Sequence, residues 1–140
     1  RARSVFLVGD KKQSIYSFRR ANPALLGEAS DWLRDNLQAF ACPGKLYAVL
    51  GMLRDKDAAG VVALLDPVVD QWHLCSIGGE RGQPATRLAQ QLKATGLTNY
   101  QLNQDVTRAF DNARQSARDG DCILVCGSFY IVSDVLRRLS

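Results

Sequence analysis

Histidine is almost missing from this sequence: His73 is the only one in 140 residues. A zinc site needs several ligands, and a lone histidine inside an apolar stretch does not supply them. Long apolar runs are missing too, and none approaches the roughly 20 residues that cross a bilayer. No charged-then-apolar signal segment opens the chain. There is no internal repeat and no low-complexity stretch. The chain starts at Arg1 rather than at Met, so it reads as an excised segment. Together these absences argue against a membrane-spanning, secreted or repeat protein and point to a cytoplasmic domain. A chain of this length fits one domain that buries a sizeable core.

What is present is ordinary for a globular protein, with 46% hydrophobic and 23% charged residues. The net charge of +4 is uneven. Residues 1–40 hold seven Lys/Arg against four Asp/Glu, and the remainder holds eleven against ten. A basic first segment could face phosphates, or it could be a solvated basic face. Four cysteines occur: Cys42, Cys75, Cys122 and Cys126. The last two lie in "CILVCGS". On a strand their spacing puts both on one face about 13 Å apart, too far for a disulfide. Buried free thiols in a reducing compartment are expected.

Apolar runs alternate with helical patterns along the chain. "SVFLVGD" (4–10), "LYAVLGM" (46–52), "DQWHLCSI" (70–77) and "DCILVCGS" (121–128) read as buried strands, with "TNYQLN" a short further one. Asn22-Pro23 reads as the cap and first position of a helix over "NPALLGEASDWLRDNLQAF". Asp55 or Asp57 stands near the start of a helix over "DKDAAGVVALLDPV". "PATRLAQQLKATG" is a helix stopped by Gly96. "DVTRAFDNARQSARDG" is a helix with Asp105 near its start, and "FYIVSDVLRRLS" closes the chain. Strands apolar throughout, alternating with helices, predict an α/β fold: a three-layer, Rossmann-like sandwich around a mostly parallel sheet of four to five strands. One domain over 1–140 is expected.

"VGDKKQSIYSFR" (8–19) resembles motif III of UvrD/AddA-type superfamily 1 DNA helicases, and the likeness extends over residues 4–39. The resemblance implies that Gln13 senses a nucleotide γ-phosphate and that Tyr16, Phe18 and Arg19 hold single-stranded DNA. The residue types suit those tasks, since an aromatic ring stacks on a base and a guanidinium grips the backbone. Such enzymes also need a Gly-x-x-x-x-Gly-Lys-[Ser/Thr] loop and an acidic pair for magnesium, and the 140 residues contain neither. The plainer reading is that this stretch forms a strand, a turn and a helix cap. Lys11, Lys12, Arg19 and Arg20 would then offer at most weak binding of single-stranded DNA or polyphosphate.

"GKLYAVLGMLRDKDAAGVVALLDPVVDQWHL", "GGERGQPATRLAQQL" and "CILVCGSFYIVSDVL" resemble the C-terminal domain of the bifunctional dihydrofolate synthases/folylpolyglutamate synthases, within the Mur ligase family. That family joins glutamate to a folate carboxylate through an acyl phosphate made from ATP. The resemblance implies a Rossmann-like domain that closes over a central ATPase domain carrying the phosphate loop and the magnesium ligands. In the family this domain opens with an Asp-x-Ala-His-Asn-Pro turn whose Asp and His help hold the nucleotide. Here "RRANP" keeps only the end of it: Phe18 or Arg19 stands near the Asp, and Ala21 stands where His would be. Those contacts are expected to be gone. The two resemblances meet at about Phe40–Pro43, which suggests a chimera: a helicase-like segment over 1–40 on a ligase-like segment over 41–140.

Asp55, Lys56 and Asp57 follow a strand, where open α/β sheets bind ligands, and the ligase resemblance turns them toward the central domain. A helix cap with a solvated lysine is the plainer reading. "GGERG" (78–82) could offer N–H groups to an anion, or be a flexible loop. Ser128 follows a strand as a nucleophile elbow does, but Gly-x-Ser-x-Gly is missing, which argues against a hydrolase. His73 is expected to be a satisfied strand histidine. No catalytic residue and no metal ligand is assigned. ATP and magnesium are implied by both resemblances but not expected to act on this chain in isolation. A sheet edge near residues 4–10 would offer a route to a homodimer. The function expected is a catalytically incomplete ligase-type domain. The alternative is a weak ATP- or single-stranded-DNA-binding module.

Overall fold

The structure is a computed structural model that describes residues 4–9, 14–17, 20–25 and 42–139. The strands are β1 (Ser4–Gly9), β2 (Ser14–Ser17), β3 (Arg20–Leu25), β4 (Leu46–Gly51), β5 (Gln71–Cys75), β6 (Tyr100–Asn103) and β7 (Cys122–Gly127). The helices among the described residues are α1 (Ala58–Leu65), α2 (Ala85–Leu92), α3 (Val106–Ser116) and α4 (Phe129–Leu139), with a 3-10 turn at Lys93–Thr95. The sheet runs β3-β2-β1-β7-β4-β5-β6. β1, β7, β4, β5 and β6 are parallel, and β2 and β3 add antiparallel strands beside β1. The fold is therefore α/β and Rossmann-like as expected, with five parallel strands in a seven-stranded sheet.

The period of two along the central strands builds two cores. Leu46, Ala48 and Leu50 of β4 share one face with Cys122, Leu124 and Cys126 of β7, and α1 and α2 cover it through Val62, Leu65, Leu88 and Leu92. Tyr47, Val49, Ile123 and Val125 point the other way, under Ala109, Phe110 and Ala113 of α3 and Val132 and Val135 of α4. Burying such a side chain fully is worth about 1.5–3 kcal/mol each, which is what holds three layers together. Local signals set the boundaries. Asp57 caps α1 by accepting from the Gly60 N–H at 3.0 Å, and Asp105 caps α3 by accepting from the Arg108 N–H at 2.9 Å. Gly96, with φ +81°, ends the 3-10 turn after α2.

Two expectations are corrected. Asn22-Pro23 lies in β3, not in a first helical turn; the rest of the expected helix, residues 26–40, falls outside the described residues. A proline lacks the N–H that a helix start leaves unpaired, but an outer strand also tolerates that loss, and β3 is the outer strand of this hairpin. The edge expected near residues 4–10 is no edge: β1 is flanked by β2 and β7, and the outer strands among the described residues are β3 and β6.

Candidate functional site

The parallel strands all point their C-terminal ends to one crest. There β4 turns into α1 on one face of the sheet, while its neighbour β7 turns into α4 on the other. Adjacent strands whose connections leave to opposite faces open a crevice, the usual ligand position in such sheets. The crest is drawn tight there. Gly51 and Gly127 are register partners, and the Ser128 N–H donates to the Gly51 carbonyl at 2.8 Å. A β-carbon on Gly127 would overlap that same carbonyl oxygen.

Asp55, Lys56 and Asp57 sit in the loop after β4, all exposed. Their roles separate. Asp57 is the cap of α1. Asp55 accepts from the Arg81 guanidinium at 3.1 and 3.4 Å. That hydrogen bond, with the charge of Arg81, holds the Asp55 carboxyl below its ordinary range. Lys56 lies between them, and its N–H donates to the Leu53 carbonyl at 3.1 Å.

The "GGERG" segment is tied down rather than free. An Ile77–Gln83 bridge closes it, and the Arg54 N–H donates to the Arg81 carbonyl at 3.0 Å. Gln83 is buried, and its amide nitrogen donates to the Met52 carbonyl and to the Gln91 side chain, each at 3.1 Å. Ser76 Oγ accepts from the Ala85 N–H at 2.7 Å and so caps α2, where Pro84 offers no side-chain oxygen. The loops after β4 and β5 thus form one joined wall of the crevice. Sequence reasoning missed Arg81, Gln83 and Ser76. The signal for Arg81 was present: an arginine in the loop after β5, opposite an aspartate in the loop after the neighbouring strand.

Gln13, Phe18 and Arg19 lie outside the described residues, as do Lys11 and Lys12. Tyr16 belongs to β2, opposite Leu7 of β1, and Arg20 opens β3. Ser128 is buried; its Oγ accepts from the Tyr130 N–H at 3.1 Å, so it caps α4 rather than facing a base.

His73 departs from expectation. It is fully buried in β5, 6.3 Å between ring centroids from Tyr47, and neither ring nitrogen has a hydrogen-bond partner among the described residues. Burial lowers its pKa. All four cysteines are free thiols, and burial pushes Cys75 and Cys126 up to about 12. Among the described residues no group of three His, Cys, Asp or Glu could hold a metal ion, and no helix is long and apolar enough to cross a membrane.

The crest between the central strands is that of a doubly wound α/β domain. The comparisons give it a family. Residues 21–129 match the Mur ligase, glutamate ligase domain, and the chain belongs to that family. Two dihydrofolate synthase/folylpolyglutamate synthases are similar to it. That of Escherichia coli is 38% identical over 108 residues, covering 77% of this chain and 24% of the relative. That of Haemophilus influenzae is 40% identical over 110 residues, covering 76% and 25%. The chain thus spans about a quarter of the length of these relatives.

Among solved structures, Escherichia coli FolC in complex with DHPP and ADP superposes with a TM-score of 0.70 at 37% identity, covering 79% of this chain and 26% of that one. The Yersinia pestis folylpolyglutamate synthase/dihydrofolate synthase complexed with AMPPNP and Mn ion gives 0.67 at 37%, with the same coverage. Residues 1–33 separately match the UvrD/REP helicase N-terminal domain. The two matches overlap at 21–33, so the ligase likeness begins upstream of the Phe40–Pro43 seam expected from the sequence.

Proposed function

We propose that this chain is a single α/β domain of a folate-type glutamate ligase that has no turnover of its own. Its crest, through Asp55, Lys56 and Asp57 and the Arg81 loop, forms one wall of a cleft whose phosphate-binding and magnesium-binding chemistry belongs to another domain. The observation that carries this reading is the family match over 21–129 joined to a crest with no metal-ligating cluster among the described residues. ATP, magnesium and folate are then substrates and cofactor of the assembled enzyme. A cytoplasmic location follows from the same reading and agrees with buried free thiols.

The match over 1–33 favours a second reading for the first segment: a helicase-like unit joined to the ligase domain, a chimera whose Gln13, Tyr16, Phe18 and Arg19 keep weak binding of nucleotide or single-stranded DNA. Backbone amide NMR of the purified chain separates the two. On the first reading, neither magnesium–ATP nor an oligonucleotide at low salt produces saturable shifts. Saturable shifts at Gln13 to Arg20 with oligonucleotide, abolished by Tyr16→Ala or Phe18→Ala, would establish stacking and the second reading. Shifts that vanish with salt and survive both substitutions would mark charge attraction alone. Shifts at residues 51–57 with ATP would show that the ligase wall binds nucleotide unaided.

A further inference from the structure

The end of the sheet opposite the crest holds two neighbouring thiols. Cys42 lies in the turn leading into β4, is half-buried, and packs against the first core. Cys122 opens β7 and is buried. One oxygen, the Lys45 carbonyl, accepts from both residues: from the Cys42 thiol at 3.4 Å and from the Cys122 backbone N–H at 2.9 Å. The Cys42 thiol also reaches the Gly120 carbonyl, 3.6 Å away in the turn before β7. Both side chains belong to the packing of the first core. Neither is in a disulfide.

We propose that Cys42 and Cys122 form a reversible dithiol–disulfide site, oxidised by a small-molecule disulfide of the glutathione class. The geometry brings two thiols of one core onto backbone segments that share a hydrogen-bond acceptor, the proximity from which a disulfide can close. The pair also has the required asymmetry. Cys42 is accessible and Cys122 is not, so oxidation enters at Cys42. The Cys42 thiolate attacks one sulfur of oxidised glutathione, forming a mixed disulfide and releasing one glutathione thiolate. The Cys122 thiolate then attacks the Cys42 sulfur and releases the second glutathione. Two protein thiols are oxidised by two electrons, one disulfide is reduced to two thiols, and the protein protons end on glutathione or in solvent.

Cys75 and Cys126 are both buried and lack an accessible partner of this kind. Cys122 itself is pushed up to about 12, by burial first and by the Cys42 hydrogen bond next, so its deprotonation makes the second step slow. The rate of closure then rises with pH, following the thiolate fraction. The new bond would join the starts of β4 and β7 and leave the crest untouched.

The test treats the purified chain with oxidised glutathione, quenches with an alkylating agent and maps the peptides by mass. The expected result is the loss of two of the four thiols, a linked Cys42–Cys122 peptide, and full recovery with dithiothreitol. Cys75 and Cys126 remain alkylatable after unfolding. Cys122→Ala should stop at a stable glutathione adduct on Cys42, and Cys42→Ser should leave Cys122 reduced, with folding of both checked by circular dichroism. A wild-type chain that stops at the Cys42 adduct, loses no thiol, or links Cys42 to another cysteine or another molecule would overturn the proposal. So would a closure rate that does not rise with pH.

Discussion

Replacing Gly127 with alanine probes how the crest is held. Gly127 ends β7 at φ +124°, a conformation that side chains rarely adopt, and an alanine there carries roughly 1–3 kcal/mol of backbone strain. The added β-carbon would also overlap the Gly51 carbonyl oxygen and stand 3.1 Å from Met52 Sδ. The sulfur can swing aside. The carbonyl cannot, because it lies in the β4 ladder and accepts the Ser128 N–H at 2.8 Å. Parting β4 from β7 at this point forfeits that hydrogen bond, about 1 kcal/mol, and part of the packing beneath it. The expected total is about 3–5 kcal/mol, a large share of the roughly 5–15 kcal/mol that holds a domain of this kind.

Gly120→Ala is the control. It too has positive φ, +88°, but its nearest neighbour for a β-carbon is Pro43 Cγ at an ordinary 3.7 Å, so only strain is added. Urea unfolding followed by tryptophan fluorescence should show a clearly lower midpoint for Gly127→Ala than for Gly120→Ala, with slopes unchanged. Equal midpoints would refute the clash and with it the idea that the close approach of Gly51 and Gly127 holds the crest together.

Three further outcomes follow from buried or capping groups. Burial lowers the His73 pKa below its unfolded 6.5, so the unfolded chain takes up the proton first. Stability is then fully present above about pH 6.5 and falls below it by up to about 1.4 kcal/mol per pH unit, and His73→Leu should flatten that slope in urea midpoints taken from pH 7.5 to 5.5. Asp121 is buried and accepts from the Lys45 and Arg118 N–H groups, each at 2.8 Å, so Asp121→Ala should cost about 2–4 kcal/mol and Asp121→Asn less, measured by urea unfolding. Asp57→Ala removes the cap of α1 and should lower stability by about 1 kcal/mol, with Asp57→Ser recovering most of it.

The second part of the sequence announced its structure because local and tertiary demands agree there. The runs in β4, β5 and β7 are apolar on both faces since both faces are covered, and Asp57, Asp105 and Gly96 mark helix ends by the same chemistry in isolation and in the fold. The β2–β3 hairpin was not legible. Asn22-Pro23 suits a helix start and an outer strand equally, and only pairing with β2 decides between them. Asp55 was visible as a charged residue after a strand, but its partner Arg81 comes from a different loop, and neighbouring strands bring those loops together only once the sheet order is known. His73 sat in a strand whose pattern gave its burial; that its ring nitrogens would meet no hydrogen-bond partner among the described residues depends on neighbours such as Tyr47, which sequence spacing does not place.

The most direct test of this chain as a ligase domain without turnover is an assay of the purified protein with ATP, magnesium, glutamate and a folate substrate, reading ADP and glutamylated product. No ADP above background and no product is the predicted result. Folate-dependent release of ADP with formation of the glutamylated product by the chain alone would contradict it, and would mean that the 140 residues hold a complete phosphoryl-transfer site.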